Sequence, residues 1–312
     1  MTNSIQEIKQ EFLKSKIGIA GIAILLALII ISIITVVVIP VETFKGWNNP
    51  DSWISYPRVA QPGWINLFSS EKIPEHQILN SPHIKYDTSG NITLVSHQYG
   101  VNFEYDDFPN DFIYEFSAKY SGAPLLQISV IRPDGIELKL LSNSLPYSNS
   151  NSVHSEKIFS TEQSIKKSLS LQSGNFLFSL DKISPEEIIF SKTTTHQPLK
   201  GTYVFLIKLY GVKPDKATDN QISNNQIIDS RLIIGGKIFG LMGTDELRRD
   251  LAVGLLWGTP LALFIGLVVA IASVVIGLLY GAYAGYRGKK TDETMMRFND
   301  VIYALPALPF LI

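Results

Sequence analysis

From Ile17 to Ile39 the chain runs for 23 residues without a charge. As a helix this block rises roughly 34 Å, enough to cross the ~30 Å hydrocarbon core of a bilayer. A cleaved signal peptide has a shorter apolar core, about 7–15 residues, and a small-residue cleavage site. Here the block runs into Val36-Val37-Val38-Ile39-Pro40 with no small-x-small step, so it reads as a retained span. A second uncharged block runs from about Pro260 to Tyr286, and a third begins near Val301. The chain averages 46% hydrophobic and 18% charged residues, but this average conceals the split: charges lie between and beside the apolar blocks.

Basic residues near span ends set orientation. Lys9, Lys14 and Lys16 precede the first span and Lys45 follows it; Arg287, Lys289, Lys290 and Arg297 follow the second, and Arg248 and Arg249 precede it. The bias places the N-terminus in the cytoplasm, residues from about 41 to 258 outside, and the loop near 287–300 inside. Residues 1–16 form a candidate elbow helix on the inner surface. Ser4 and Glu7 fit a capping box, and Ile5, Ile8 and Phe12 recur at helical spacing. A frayed tail is the alternative.

Residues 41–240 are patterned as a domain. Leu126, Ile128 and Val130 alternate with polar residues, Arg132-Pro133-Asp134-Gly135 supplies a turn, and Ile136, Leu138 and Leu140 alternate again, predicting a hairpin. Tyr203, Phe205, Ile207 and Leu209 predict a strand, as do Phe176, Phe178 and Leu180. Ile92 with Leu94, and Val101 with Phe103 and Tyr105, give two weaker ones. Such strands suggest a β-sandwich. Short helices are expected after Thr161 and from Ser184-Pro185-Glu186-Glu187, where Pro and acids suit a first turn. Ser142 to Ser155 and Val212 to Gln226 read as polar connectors.

A net charge of −1 and the lack of a basic stripe argue against nucleic acid as a partner. The chain has no Cys, hence no disulfide framework and no Cys-ligated zinc. The histidines His76, His83, His97, His154 and His196 show no HExxH spacing and are expected in surface loops. No GxSxG elbow or phosphate-binding lysine loop is present. No catalytic residue, metal site or cofactor is expected.

The cluster at Gly243-Thr244-Asp245-Glu246-Leu247-Arg248-Arg249-Asp250 stands just ahead of the second span. Thr244 is placed to cap a helix, and Asp245 and Arg249 are spaced for an i, i+4 pair. Leu247, Leu251 and Leu255 then predict an amphipathic surface helix from Thr244 to Trp257. Within the span, Ser273, Gly277, Gly281 and Gly285 recur every four residues and form a small-residue face suited to close helix packing.

Residues 238–312 resemble the permease subunits of dipeptide, oligopeptide and nickel ABC importers. The pattern of that family is Gly-Thr-Asp, two residues, then Gly-Arg-Asp. Gly243, Thr244, Asp245, Arg249 and Asp250 match it, with Arg248 in place of the usual glycine. Gly258, Gly266, Gly277, Gly285-Tyr286 and Pro306 match further on, as does a cytoplasmic loop motif of Gly288, Asp292, Met296-Arg297 and Asp300. A basic entry, one span and Asn49-Pro50-Asp51 extend the likeness to the N-terminal end. The resemblance implies an α-helical integral membrane protein of the cell membrane, multi-pass and part of a permease bundle; the large extracytoplasmic β-rich domain read from the strand pattern is not part of the family pattern and looks like an elaboration on it. It implies a sister permease, two cytoplasmic ATPase subunits and an extracytoplasmic solute-binding protein as partners, and peptide as the commonest cargo. Residues 241–312 are then expected to be a surface helix, transmembrane helix 2, a cytoplasmic loop and the start of transmembrane helix 3, as in a permease truncated there. The alternative is a two-span receptor or a membrane-tethered binding protein. The motif at Gly243 and the glycine face weigh against both.

Overall fold

The computed structural model describes residues 14–148, 153–177, 182–212 and 225–304. They fall into two compact units, Met1–Val41 with Leu255–Ile312, and Glu42–Gly254. The capping box at Ser4, most of the second polar connector and residues 305–312 lie outside the described residues.

Helix α1 spans Lys16–Val38, and the Ser15 hydroxyl accepts its cap bond from the Gly18 amide at 3.2 Å. Its apolar side chains point in every direction, and among its residues only Thr35 is buried. The Thr35 hydroxyl donates back to the Ile31 carbonyl at 2.9 Å, so this polar group is satisfied within the helix.

The Glu42–Gly254 unit opens on the short helix α2, Val41–Lys45, and becomes a two-layer β-sandwich. In chain order its elements are β1 Gln77–Leu79, β2 His83–Ser89, β3 Ile92–Phe103, β4 Asp111–Lys119, β5 Leu125–Ile131, β6 Glu137–Ser144, β7 Val153–Phe159, α3 Gln163–Ser170, α4 Pro185–Phe190, β8 Gly201–Val212 and β9 Gln226–Gly235. One antiparallel sheet runs β2-β3-β8-β5-β6 and the other β1-β9-β4-β7. Period-two alternation sends Phe112 and Tyr114 of β4 inward against Phe205 of β8, with ring centroids 6.0 and 6.2 Å apart. Each such side chain contributes about 1.5–3 kcal/mol by leaving water.

One polar knot bridges the layers. The Ser230 hydroxyl of β9 lies 2.6 Å from His97 Nδ1 and 2.6 Å from the Tyr99 hydroxyl, both on β3. Burial lowers the His97 pKa and pushes the Tyr99 hydroxyl up to about 12.

The hairpin expected around Arg132 is β5–β6, closed by the Gly135 amide donating to the Arg132 carbonyl at 3.0 Å. Arg132 does more than turn the chain. Its buried guanidinium donates to the carbonyls of Ile188, Ile189 and Ser191 at 3.0, 2.8 and 2.6 Å, satisfying the C-terminal end of α4. Ser184 caps α4, as its sequence suggested.

Several expectations need correction. The two weak strands around Ile92 and Val101 are one strand, β3, whose first residue is exposed. Phe176 lies outside any strand, while Phe178 and Leu180 lie outside the described residues. The Ser142–Ser155 connector contains the end of β6 and the start of β7. His97 is buried inside β3, and His83 and His154 sit in strands, so the histidines are not all in surface loops.

Helix α5, Leu251–Arg287, is continuous over 37 residues and contains Pro260 rather than starting there. Gly288, at φ 59°, ends it, and the polar stretch expected as a loop is instead helix α6, Lys289–Ala304. Glu293 and Arg297 form an i, i+4 pair at 3.0 Å on α6, and the Tyr280 hydroxyl of α5 donates to the Met295 carbonyl at 2.8 Å.

Candidate functional site

Residues 53–64 and 237–250, far apart in sequence, lie against each other ahead of α5. Gln61 donates to the Lys237 carbonyl at 2.7 Å, Phe239 to the Gln61 carbonyl at 2.8 Å, and Gly63 to the Gly240 carbonyl at 2.8 Å. Thr244 is the buried centre of this junction. Its hydroxyl donates to the Pro57 carbonyl at 2.7 Å and accepts from the Ala60 amide at 2.9 Å, and its own amide donates to the Ala60 carbonyl at 3.0 Å. Gly243 stands at φ 74°, and a Cβ there would lie 2.0 Å from the Ala60 carbonyl oxygen. Only glycine suits both the left-handed backbone and that approach.

Thr244 therefore does not cap a helix. The helix expected over Thr244 to Trp257 begins at Leu251, and residues 241–250 are turns. The cap is Asp250, whose Oδ1 accepts from the Ala252 amide at 2.9 Å. The hydroxyl of Thr244 is already committed to Pro57 and Ala60, and left-handed backbone at Gly243 and Arg248 excludes a helix there.

Asp245 and Arg249 do pair, at 2.7 Å, but across a turn. Asp245 Oδ1 also accepts from the amides of Leu247 and Arg249, both at 2.9 Å. Burial pushes the Asp245 carboxyl up; the Arg249 amide and guanidinium and the Leu247 amide outweigh this and hold it below the usual carboxylate range. The Arg249 guanidinium carbon lies 4.7 Å from the Trp47 ring centroid. That ring leaves no room for a side chain at Gly254, where a Cβ would lie 2.4 Å away.

Arg248 occupies the position where the family pattern has glycine, and its φ is 66°. A left-handed turn is thus formed here without glycine. The guanidinium donates to the Tyr56 carbonyl at 2.7 Å and pairs with Asp111 at the head of β4. Tyr56, Trp47 and Asp111 were not singled out from sequence. The sequence signal was the displaced glycine, which marked the position of unusual backbone but not what the arginine would reach. Close by, His76 packs edge-on against Phe239 at 5.4 Å, and burial lowers its pKa to about 4.

The other singled-out residues are spread along the helices. Ser273, Gly277, Gly281 and Gly285 line α5, and Cβ atoms added at the three glycines would meet nothing within 4 Å. Gly288 joins α5 to α6, while Asp292, Arg297 and Asp300 lie on α6, where Arg297 pairs with Glu293. Among the described residues no group of three or more His, Cys, Asp or Glu is placed to hold a metal. The junction's polar side chains bond to one another and to backbone; the arrangement fixes where a long apolar helix begins.

No family model matches the chain. It is 41% identical over 70 residues to the oligopeptide transport system permease protein OppC of Bacillus subtilis, 22% of this chain and 23% of the relative. It is 44% identical over 66 residues to the dipeptide transport system permease protein DppC of the same organism, 21% of each. A di/tripeptide transport system permease protein from Pseudomonas aeruginosa is 42% identical over 74 residues, 24% of each. The matches thus span under a quarter of the length of these relatives. Among solved structures, a carbohydrate-binding module in complex with β-1,4-galactotriose overlaps 59% of this chain and 98% of that one, at 8% identity and a TM-score of 0.21, too low to establish a shared fold. Over some 70 residues the chain is similar to peptide ABC transport permeases, and the expected resemblance holds there. Its α1 and α5 are long and apolar enough to cross a membrane, and together with the permease relatives they fit a membrane protein.

Proposed function

We propose that the chain is a permease subunit of an ATP-driven, binding-protein-dependent peptide importer. The observation that carries this reading is the 41–44% identity to peptide transport permeases. In this reading the N-terminus is cytoplasmic and residues 41–240 form an extracytoplasmic domain. The junction at Gly243, Thr244, Asp245, Arg249 and Asp250 sets the entry of α5 into the bilayer. The face of Ser273, Gly277, Gly281 and Gly285 packs against a helix of a sister permease. That packing is supported by the open space at the three glycines, since close backbone approach is a main source of helix association in lipid. Gly288, Asp292, Arg297 and Asp300 lie on the cytoplasmic side, where two ATPases would act, and a solute-binding protein delivers peptide outside.

The chain, expressed with the sister permease, the ATPases and a solute-binding protein and supplemented with a separately expressed C-terminal permease half, is expected to co-purify with the sister permease and the ATPases and to carry peptide into proteoliposomes when ATP is supplied. Gly281→Leu should abolish co-purification of the sister subunit. Peptide binding without ATP-dependent uptake would favour a receptor and overturn the reading.

A further inference from the structure

The Glu42–Gly254 unit carries an apolar patch that its own core does not use. Leu67 and Phe68 are 80% and 83% exposed, and Trp64, Leu241 and Met242 are exposed beside them. The two contributing segments are tied together: Trp64 Nε1 donates to the Leu241 carbonyl at 3.0 Å, one residue beyond the Gly63–Gly240 bond. This patch is held in place rather than frayed open. Asn66 donates to the Ile73 carbonyl and accepts from the Ile73 amide, both at 3.0 Å, which pins the loop that presents Leu67 and Phe68. Neither segment contains a charged residue, from Val59 to Ser70 or from Ile238 to Thr244. Ordered, uncharged apolar surface of this kind calls for a cover.

The position of the patch in the chain says which cover. The Leu251 amide, at the first residue of α5, donates to the Gly243 carbonyl at 3.1 Å, next to Met242. The patch therefore adjoins the start of an apolar helix. That helix carries no charge from Leu251 to Tyr286, and Leu251 and Leu255 are themselves exposed. Its 37 residues rise roughly 55 Å, more than the 40–45 Å of a bilayer with its headgroups. Trp is suited to the bilayer interface, where an apolar ring meets polar headgroups. Here the indole N–H is already bonded to Leu241, so the ring can enter apolar surroundings without an unsatisfied donor.

We propose that Trp64, Leu67, Phe68, Leu241 and Met242 form a lipid-facing foot that seats the β-sandwich unit on the bilayer interface. Five apolar side chains on a rigid two-segment base would restrain the unit against the membrane in addition to its covalent connection to the spans.

Because the chain has no Cys, single labels can be placed without removing native residues. The full chain is reconstituted in phosphatidylcholine–phosphatidylglycerol vesicles with a nitroxide at Phe68→Cys or, independently, Leu67→Cys. Tyr86→Cys on β2 serves as the water-facing control and Leu267→Cys on α5 as the lipid-facing one. Relaxation by oxygen, which concentrates in lipid, is compared with relaxation by a water-soluble nickel chelate. The oxygen-to-nickel accessibility ratio at Phe68 and Leu67 is expected to exceed that at Tyr86 several-fold and to approach that at Leu267. A ratio equal to that of Tyr86 would overturn the proposal by showing water over the patch. Low accessibility to both agents would overturn it by showing a protein cover, a second copy or a partner. A water-like ratio at Leu267 would count against the membrane-spanning reading itself, a separate failure.

Discussion

Phe205 and Leu267 are both large apolar side chains in regular structure, yet their surroundings are opposite. Phe205 is fully buried, with Phe112, Phe190 and Tyr114 about its ring at 6.0–6.2 Å. Leu267 stands 53% exposed in the middle of α5. The sandwich alternates apolar and polar residues, so its fold removes its own oil from water. Helix α5 is apolar all round and satisfies only its backbone. The hydrophobic effect is the same in both regions, but in the second the apolar medium must come from outside the chain. A fold of this kind is stable only where two solvents meet.

The comparison would break most visibly under truncation. Phe205→Ala is expected to destabilise the sandwich by about 3–5 kcal/mol, because a cavity adds to the lost burial. Leu267→Ala should change stability by no more than about 0.5 kcal/mol, since it opens no cavity. Urea titration of the β-sheet signal in detergent micelles measures both, and similar losses would refute the contrast.

Acid should sharpen it. The lowered His76 pKa means the unfolded chain binds a proton near pH 6.5 that the folded one refuses until about pH 4. The folded state therefore binds fewer protons across that window, and stability falls as pH drops through it, by up to about 3 kcal/mol. The residues from Ile17 to Ile39 and Leu251 to Tyr286 hold no Asp, Glu, His, Lys or Arg. Melting of the sandwich should shift to lower temperature between pH 6.5 and 4 while helical signal is retained, and His76→Phe should reduce the shift, leaving the part that the buried His97 contributes. A pH-independent melt would contradict this.

The smallest contrast lies between two variants of Arg248. Arg248→Ala removes the bonds to the Tyr56 carbonyl and Asp111 and keeps an unfavourable backbone, for an expected loss of about 2–3 kcal/mol. Arg248→Gly loses the same bonds but suits φ 66°, and should be about 1 kcal/mol less damaging. Equal melting points for the two variants would show that the turn stores no strain.

Local chemistry was legible in the sequence, and distant partnership was not. Arg132-Pro133-Asp134-Gly135 announced a hairpin because a turn is decided by neighbouring residues. That the same arginine would close the end of α4 depends on residues 56 to 59 positions away, and no periodicity encodes it. Thr244 resembled a helix cap because the next residues are acidic; its true partners, Pro57 and Ala60, lie 187 and 184 positions upstream. The apolar blocks were unmistakable, since length and absence of charge are properties of a contiguous string. Helix α6 was missed because a polar run between apolar blocks looks like a connector, although Met295, Phe298 and Ile302 fall at the i, i+3, i+7 spacing of a helical stripe.

The hydroxyl of Ser230 has a consequence for how the two sheets keep their places. Among the described residues no strand of one layer is paired with a strand of the other, and apolar burial is itself non-directional. A hydrogen bond is directional and short-ranged, weakening steeply when its geometry is lost. Ser230 reaches His97 and Tyr99 at once, two neighbouring inward positions on a single strand. It therefore acts as a detent: among the continuous offsets that the apolar core would tolerate, it selects one notch, and gives a soft interface a definite alignment.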